Sequence, residues 1–297
     1  MVLDLPRTSM QKIRKAVIPV AGFGTRFLPV TKAQPKEMLP IVDKPAIQYT
    51  VEACVASGIT DIIIVTSGNK RAVEDHFDRS PELEKWLEKS GKTKLLKELR
   101  QIPRLANFIY IRQKGGYGNG TPVLNAEPLI GNEPFAVFWG DEFILSQKPW
   151  VKQLIETYEK YQDPVLSIIQ VAKKETERFG IIDGVKVEKN VYQIKGIKEK
   201  PGPKKAKSNL ALFGGYILTP EIFKILKKTK PGKGGELWLA DAIDTLLKKR
   251  SVYGKKVEGD VYDAGTIAGW LKANVELALT HPKLNGEFRK YLKNLKL

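Results

Sequence analysis

The sequence has few of the residues that cross-link a chain or bind zinc. It contains one cysteine, Cys54, and two histidines among 297 residues. A single cysteine excludes an internal disulfide and is typical of a reducing compartment, so we expect a cytoplasmic protein. A zinc site is disfavoured because the sequence has no cluster of cysteine and histidine. Cys54 lies in the helical pattern PAIQYTVEACVASG, which predicts a packing role.

Long apolar runs are also missing. No stretch approaches the roughly 20 apolar residues that a membrane-spanning helix needs. The first residues, MVLDLPRTSMQKIRK, show no continuous apolar core followed by a small-residue cleavage site, so we expect no secretory signal and no membrane partner. With 42% hydrophobic residues, a chain of 297 residues can bury a substantial core as one large domain or one domain with lobes.

Positive charge, by contrast, is abundant. The 50 Lys and Arg residues outnumber the 33 Asp and Glu residues, for a formal net charge of +17. Such a balance raises the possibility of a nucleic-acid partner. The lysines are spread over 195–207, 224–233 and 289–296 with no nucleic-acid-binding motif beside them. We therefore predict a solvated basic surface that attracts anionic substrates, and no nucleic-acid partner.

Apolar runs and helical patterns alternate along the first half of the chain. Strands are predicted at 16–21, 61–66, 108–112, 135–139 and 165–171. Their alternation with helices predicts an α/β fold with a mainly parallel sheet flanked by helices. The segment 81–101 is predicted to form one or two amphipathic helices, an insertion with a role in packing or dimerisation. Beyond 177 the strands shorten, with helices predicted near 221–228 and 237–249.

The first predicted strand runs into a glycine turn followed by cations, KAVIPVAGFGTRFLPVTKAQPKEMLP (15–40). Gly22 and Gly24 let backbone N–H groups approach an anion closely, and Arg26 and Lys36 add positive charge, which predicts a polyphosphate site. The third glycine of a dinucleotide fingerprint is missing, and no GK[ST] follows to make a triphosphatase loop. The GxG element alone also fits a solvated basic turn. Pro19 is unusual in a central strand because it lacks an N–H.

The complete string GxGTRxLPxTKxxPKEMLP resembles the signature of the sugar nucleotidyltransferases, and its KEMLP form is similar to that of bacterial-type UTP:glucose-1-phosphate uridylyltransferases. The similarity covers nearly the whole chain, through DKPAIQY (43–49), EDHFDRSPELE (74–84), RFGIIDG (178–184), KEKPGP (198–203), GGELWLADAI (234–243) and YDAGTIAGWLKA (262–273).

This resemblance implies a fold and an activity. The fold would be of the nucleotide-diphospho-sugar transferase type, Rossmann-like, with a nucleotide-binding portion at 15–145, a smaller β-rich sugar-phosphate-binding portion at 146–280 and a basic tail at 281–297, within one domain (1–297). The enzyme would transfer a uridylyl group from UTP to glucose 1-phosphate, giving UDP-glucose and pyrophosphate by Mg²⁺-assisted in-line displacement. Family members tend to be homodimers or homotetramers.

The resemblance also implies roles for individual residues. Ala21, Gly22, Gly24, Gln113 and Gly118 would bind the nucleotide. Arg26, Lys36 and Lys200 would be catalytic cations, the first two on the departing pyrophosphate and the third on the attacking phosphate. Gly180, Glu199, Lys200, Tyr216 and Glu236 would bind the sugar phosphate. Asp141 and Asp263 would hold Mg²⁺, which prefers hard oxygen ligands and takes one or two carboxylates with substrate phosphates.

Several of these residues have ordinary structural interpretations as well. An aspartate after a strand is often a cap or turn residue, and Glu199 with Lys200 fits a solvated charge run. Glu236 fits the first turn of a helix, where a negative charge is favoured.

Two stretches depart from the family pattern. GNGTP (118–122) replaces a GLGHA-like string, and WGDE (139–142) replaces a PDD-like one, so Glu142 is interpreted as a neighbour rather than a ligand. Three alternatives remain open at this point: a related transferase that uses dTTP, a non-catalytic nucleotide-sugar-binding regulatory protein, and a basic nucleic-acid-binding protein.

Overall fold

The computed structural model describes residues 11–284 and 286–295. The prediction that the chain starts without a secretory signal concerns mainly residues 1–10, which lie outside the described residues, as do the last two residues of the basic tail.

Within the described residues, thirteen strands and eleven α-helices follow one another along the chain. The strands are β1 (Lys15–Pro19), β2 (Pro40–Ile41), β3 (Lys44–Pro45), β4 (Asp61–Thr66), β5 (Asn107–Arg112), β6 (Phe135–Phe138), β7 (Glu142–Leu145), β8 (Val165–Gln170), β9 (Gly180–Glu188), β10 (Val191–Glu199), β11 (Leu210–Leu218), β12 (Tyr253–Lys256) and β13 (Asp260–Asp263). The helices are α1 (Ala46–Val55), α2 (Arg71–Phe77), α3 (Pro81–Lys89), α4 (Thr93–Gln101), α5 (Gly120–Asn125), α6 (Glu127–Ile130), α7 (Trp150–Tyr161), α8 (Glu221–Leu226), α9 (Leu239–Leu247), α10 (Ile267–Ala278) and α11 (Glu287–Asn294).

Nine of these strands form one sheet, in the order β5-β4-β1-β6-β11-β8-β12-β10-β9. The four strands β5, β4, β1 and β6 are mutually parallel. Beyond β6 the sheet is mixed, because β11 runs antiparallel to β6 and β8, and β9 with β10 forms an antiparallel hairpin. The α/β prediction is therefore confirmed, with the parallel part concentrated in the first half of the chain.

The five predicted strands correspond to β1, β4, β5, β6 and β8. β6 and β8 each end one residue before the predicted boundary, and β1 ends two residues before it, at Pro19. The pairing of β1 explains the proline. Pro19 is the last residue paired with β4, whereas pairing with β6 covers only Ala16 and Val17. The N–H of Val20 still donates to Val65 O at 2.8 Å. Because pairing with β6 has ended before Pro19, its missing N–H interrupts no ladder bond there.

Helices cover both faces of the parallel part. Successive side chains of a strand point to opposite faces, so Ala16 and Ile18 pack with α1 and α7, whereas Val17 packs with α5, α8 and α9. Cys54 on α1 is fully buried in the first of these layers, and burial raises the pKa of its thiol. A structural packing role for this cysteine follows.

The predicted helical insertion forms the two helices α3 and α4, which contact each other. The Glu84 side chain fastens them, since its carboxylate accepts hydrogen bonds from Arg79 (Nη2, 2.8 Å) and from Arg100 (Nε, 2.8 Å). Whether this insertion dimerises stays a prediction. In the part of the chain that the structure describes, every helix is too short or too polar to cross a membrane.

Candidate active site

A cleft of about 1290 Å³ opens where the parallel strands end. Because β1, β5 and β6 are parallel, the residues that follow them meet at one edge of the sheet, where ligands collect in such folds. Every residue to which the sequence assigned a site role lies in the lining of this cleft: Ala21, Gly22, Gly24, Arg26, Lys36, Gln113, Gly118, Asp141, Gly180, Glu199, Lys200, Tyr216, Glu236 and Asp263. Their individual roles stay predictions.

The glycine turn after β1 is held in shape by its own contacts. Gly24 has φ +67°, which favours glycine, and its carbonyl accepts the Thr31 hydroxyl at 2.8 Å. The next cation, Arg26, donates from Nη1 to Gly265 O at 3.3 Å, on the far side of the cleft. Arg26 therefore connects the glycine turn after β1 with the segment that follows β13.

Asp141 and Asp263 meet although they lie far apart in sequence. The two-stranded sheet of β7 and β13 pairs Asp263 with Glu142, and Ala264 N donates to Asp141 O at 2.8 Å. Gly265 lies against both carboxylates, since a Cβ built there would stand 2.3 Å from Asp141 Oδ2 and 3.2 Å from Asp263 Oδ1. Only glycine leaves space beside this pair of carboxylates.

Each aspartate has a cation beside it. Lys36 Nζ is 2.5 Å from Asp141 Oδ2, and Arg178 Nη2 is 3.5 Å from Asp263 Oδ2. Burial alone would lower the pKa of Lys36, but the charges of Asp141 and Glu37 and the hydrogen bond to Asp141 outweigh it and raise the pKa. The ammonium therefore stays protonated through the neutral range. Arg178 was not given a role from the sequence, because RFGIIDG shows no sign that its arginine reaches β13.

The carboxylate pair has the chemistry of a magnesium site. Burial raises the pKa of Asp263, and the nearby charge of Asp141 raises it further, so a cation between the two would relieve their repulsion. Within residues 11–284 and 286–295, no group of three or more His, Cys, Asp or Glu side chains is arranged to hold a metal. Two carboxylates with substrate oxygens match the way proteins bind Mg²⁺, so the residues fit the ion.

Glu142 is turned away from that pair towards the backbone. Its Oε2 accepts from Gly214 N at 2.6 Å. Burial, with the charges of Asp141 and Asp263, raises the pKa of Glu142 to about 8. The carboxyl thus ties β7 to the irregular part of β11, and its interpretation as a neighbour rather than a ligand stays a prediction.

A buried ion pair supports the Lys36 segment from below. Glu37 and Lys70 are each 2% exposed, and Lys70 Nζ is 3.1 Å from Glu37 Oε2. Lys70 precedes α2, so the pair ties the KEMLP segment to that helix. No pattern in the sequence predicts this contact, because it joins two segments through side chains alone.

Breaking this pair is expected to destabilise the fold. In Lys70→Met the buried Glu37 carboxylate loses its hydrogen-bonded partner and keeps only the nearby charge of Lys36, and loss of a buried partner typically costs about 3 kcal/mol of unfolding free energy. The exposed pair Lys44–Glu52, 2.7 Å apart, offers a matched control, and Lys44→Met should cost about 1 kcal/mol or less. Urea unfolding of the three proteins measures both values, and equal losses in the two variants would contradict the expectation.

The loop after β5 is bound to the segment before α9. Leu237 N donates to Tyr117 O at 2.9 Å, and Gly120 N donates to Leu237 O at 2.8 Å. Between them Gly118 has φ +115°, and a Cβ there would stand 2.3 Å from Leu237 O. Gly118 is therefore required by a close approach of two backbones as well as by its conformation.

Gly118→Ala is expected to push these two backbones apart and to raise roughly 10-fold the KM for the nucleotide that the resemblance implies, since strain of this kind costs about 1–3 kcal/mol. Gly68→Ala is the matched control, because a Cβ at Gly68 meets nothing within 4 Å. Steady-state kinetics measures the KM of both variants. An unchanged KM in Gly118→Ala would contradict the expectation and show that the loop accommodates the added Cβ.

The residues that depart from the family pattern serve the fold of this loop. Asn119 Oδ1 accepts from Leu239 N at 2.8 Å, at the start of α9, so its side chain fastens the loop to that helix. Thr121 is buried at 4% exposure. Gln113 is half-buried in the cleft lining, and the contact of its Nε2 with Gly116 O is long, at 3.5 Å, which leaves its amide free to turn towards a ligand.

The opposite wall comes from the hairpin of β9 and β10. Gly180 and Glu199 are register partners, and a Cβ at Gly180 would stand 3.1 Å from Glu199 Oε2. Lys200 follows with φ +43°, and its N donates to Phe179 O at 3.1 Å. Its Nζ lies 3.5 Å from Glu199 Oε1 with both side chains more than half exposed, so both are available to a ligand.

Two aromatic side chains close the floor between the walls. Tyr216 on β11 is 8% exposed and meets Trp139 edge to face, with ring centroids 6.1 Å apart. Tyr216 therefore packs against Trp139 and also lines the cleft. Trp139 lines the cleft as well, although the sequence analysis assigned it no role. Glu236 lines the cleft just before α9.

Residues 15–279 match the family model described as nucleotidyl transferase. The chain belongs to the nucleotidyl transferase family. This transferase is 47% identical to a curated relative, the UTP--glucose-1-phosphate uridylyltransferase YngB of Bacillus subtilis. The alignment spans 285 residues and covers 96% of each of the two chains.

Solved structures agree. A UDP-glucose pyrophosphorylase complexed with UDP-glucose superposes with a TM-score of 0.83 and 44% identity, over 91% of this transferase and 100% of that chain. A UTP-bound UGPase from Acinetobacter baumannii superposes with a TM-score of 0.89 and 37% identity, over 96% of this transferase and 100% of that chain. The α/β fold of the nucleotide-diphospho-sugar transferase type, which the resemblance implies, is thereby confirmed, and the division of the chain into two portions stays a prediction.

Proposed function

We propose that this nucleotidyl transferase transfers the uridylyl group of UTP to glucose 1-phosphate, forming UDP-glucose and releasing pyrophosphate. One observation carries the proposal: a single cleft is lined by cations from two separate parts of the chain, Arg26 with Lys36 after β1 and Lys200 after β10, together with the carboxylate pair Asp141 and Asp263. Two phosphate-bearing substrates that react with each other need this arrangement. The names of the relatives favour UTP and UDP-glucose.

The reaction needs no covalent enzyme intermediate. A phosphate oxygen of glucose 1-phosphate attacks the α-phosphorus of UTP, and the bond from that phosphorus to the bridging oxygen of the β-phosphate breaks in line. The electron pair leaves with pyrophosphate. Chemistry of this kind asks the protein mainly for positioning and for stabilisation of charge.

The residues divide these tasks. Backbone groups of Ala21, Gly22 and Gly24 seat the nucleotide, while Gln113 and the backbone of Gly118 bind the edge of its base, because an amide offers both donors and an acceptor. Arg26 and Lys36 balance the charge that develops on pyrophosphate.

The hairpin side positions the second substrate. Lys200 holds its phosphate as a compact cation. Glu199 accepts hydrogen bonds from sugar hydroxyls, as does Glu236, and Gly180 leaves space beside Glu199. Tyr216 lines the floor.

Asp141 and Asp263 would hold Mg²⁺, which supplies neutralisation of phosphate charge as a Lewis acid. Lys36 and Arg178 then keep the two carboxylates oriented and charged, since each is already within 4 Å of one of them. This pairing keeps the acidic side of the cleft fixed before substrates arrive.

We also propose that the two substrates bind to different portions of the chain. Residues 15–145 would bind the nucleotide and residues 146–280 the sugar phosphate, although strands of both portions contribute to one continuous sheet. The protein would act in the cytoplasm as a homodimer or homotetramer.

The nucleotide preference tests the proposal. Pyrophosphate release is measured with glucose 1-phosphate and Mg²⁺, comparing UTP with dTTP over the same concentrations. We expect a higher kcat/KM with UTP. Preference for dTTP would assign the protein to thymidylyl transfer, and no release with either nucleotide would contradict transfer to glucose 1-phosphate.

A further inference from the structure

Two exposed aromatic side chains face each other at the mouth of the cleft. Phe23 is 59% exposed and Tyr117 is 63% exposed, and their ring centroids lie 5.5 Å apart at an interplanar angle of 51°. Single exposed apolar residues are common on protein surfaces. A pair of large rings in mutual contact inside a polar, substrate-sized cleft is a different observation, because a ligand entering there would cover both.

The backbones under these rings are fixed although the rings are exposed. Phe23 lies between Gly22 and Gly24 in the turn after β1, and that turn is closed by a bond from Phe27 N to Gly24 O at 3.0 Å. Tyr117 lies next to Gly118, and its carbonyl accepts from Leu237 N at 2.9 Å. Truncating either side chain leaves these backbone bonds in place.

Neither ring is used by the fold. Among the described residues, the Tyr117 hydroxyl makes no side-chain hydrogen bond, and neither ring belongs to the buried clusters on the two faces of the sheet. The two rings come from the two segments that hold Gly22 and Gly118, which are predicted to seat the nucleotide. Gln113 would bind the edge of a base, and an edge contact leaves both faces of a flat ring open.

We propose that Phe23 and Tyr117 form an aromatic clasp that covers the base of the bound nucleotide and sets nucleotide affinity. This inference rests on the proposed function, since it needs a nucleotide with a flat ring. Aromatic rings stack on a base whatever its identity, because every base has a flat π-face, and such contacts are lost on truncation to alanine. The clasp therefore acts on binding of UTP and leaves the binding of bare phosphates unchanged.

A comparison of two probes tests the clasp by isothermal titration calorimetry. UTP has the ring and the phosphates, and inorganic tripolyphosphate has the phosphates alone. Phe23→Ala and Tyr117→Ala are each expected to weaken UTP binding roughly 10-fold, as expected for the loss of one ring stacked on one base. Both should bind tripolyphosphate within about 2-fold of the unaltered protein. Tyr117→Phe keeps the ring and should bind UTP as the unaltered protein does.

Trp86→Ala is the matched control, because Trp86 is a 54% exposed aromatic on α3, outside the cleft lining. It should change neither affinity. Unchanged UTP affinity in both alanine variants overturns the clasp, as does an equal loss for UTP and tripolyphosphate, which would indicate a disturbed phosphate loop. If the unaltered protein binds tripolyphosphate but not UTP, the proposed function fails together with the clasp.

Discussion

Asp141→Asn is expected to lower kcat roughly 1000-fold. The substitution keeps the size of the side chain but removes the negative charge that lies 2.5 Å from Lys36 Nζ and beside Asp263. Loss of a charge that organises phosphate oxygens at the reacting centre costs several kcal/mol of transition-state stabilisation. Pyrophosphate release at saturating substrate measures the effect.

A matched control for this substitution is Asp183→Asn. Asp183 also pairs with a lysine, Lys207, at 2.6 Å, but it is an exposed residue of β9 outside the cleft lining. Its kcat should stay within about 2-fold of the unaltered protein, as expected for an exposed pair. Normal turnover in Asp141→Asn would remove the carboxylate pair from the mechanism.

Lys36→Met is expected to lower kcat by a similar factor, roughly 1000-fold. The cation balances Asp141 in the resting cleft and the charge of the departing pyrophosphate during the reaction, and a cation placed on a transferring phosphate group contributes about this much. Lys32→Met removes an exposed lysine from the same segment, outside the cleft lining, and should leave kcat unchanged. Equal activity in the two variants would contradict the role of Lys36.

The raised pKa of Lys36 adds a pH expectation. A lysine whose pKa is raised by folding contributes its stabilisation below the unfolded value, 10.5, and loses it only as pH rises through the higher folded value. The ammonium is therefore present throughout the neutral range. A fall in kcat between about pH 7 and 9 that disappears in Lys36→Met would contradict this.

Many residues of this cleft could be predicted from the sequence, because they belong to short local patterns. The apolar runs of β1, β5 and β6 predict parallel strands, and residues at the ends of such strands must share an edge of the sheet. Gly24, Gln113, Asp141 and Asp263 each follow an apolar run, which predicts a position on the ligand side of the sheet. That Asp141 and Asp263 act together as metal ligands came only from the family resemblance, because nothing local indicates that β13 pairs with β7.

The contacts that the sequence did not predict join distant segments through side chains. In the sequence, nothing distinguishes Lys70 from other lysines that precede a helix, but in the structure it forms a buried ion pair with Glu37. Arg178 belongs to a recognised motif, but its contact with Asp263 depends on how the β9–β10 hairpin lies over β13. Asn119 departs from the family pattern and fastens α9. No periodicity or spacing carries such information, since each contact is set by the packing of whole elements.

The most direct test follows labelled oxygen through the reaction. Glucose 1-phosphate carrying ¹⁸O at its phosphoryl oxygens is incubated with UTP and Mg²⁺, and both products are analysed by mass spectrometry. Attack by the sugar-phosphate oxygen on the α-phosphorus predicts UDP-glucose that retains every labelled oxygen, together with unlabelled pyrophosphate. Label in pyrophosphate, or pyrophosphate formed without UDP-glucose, would contradict the account.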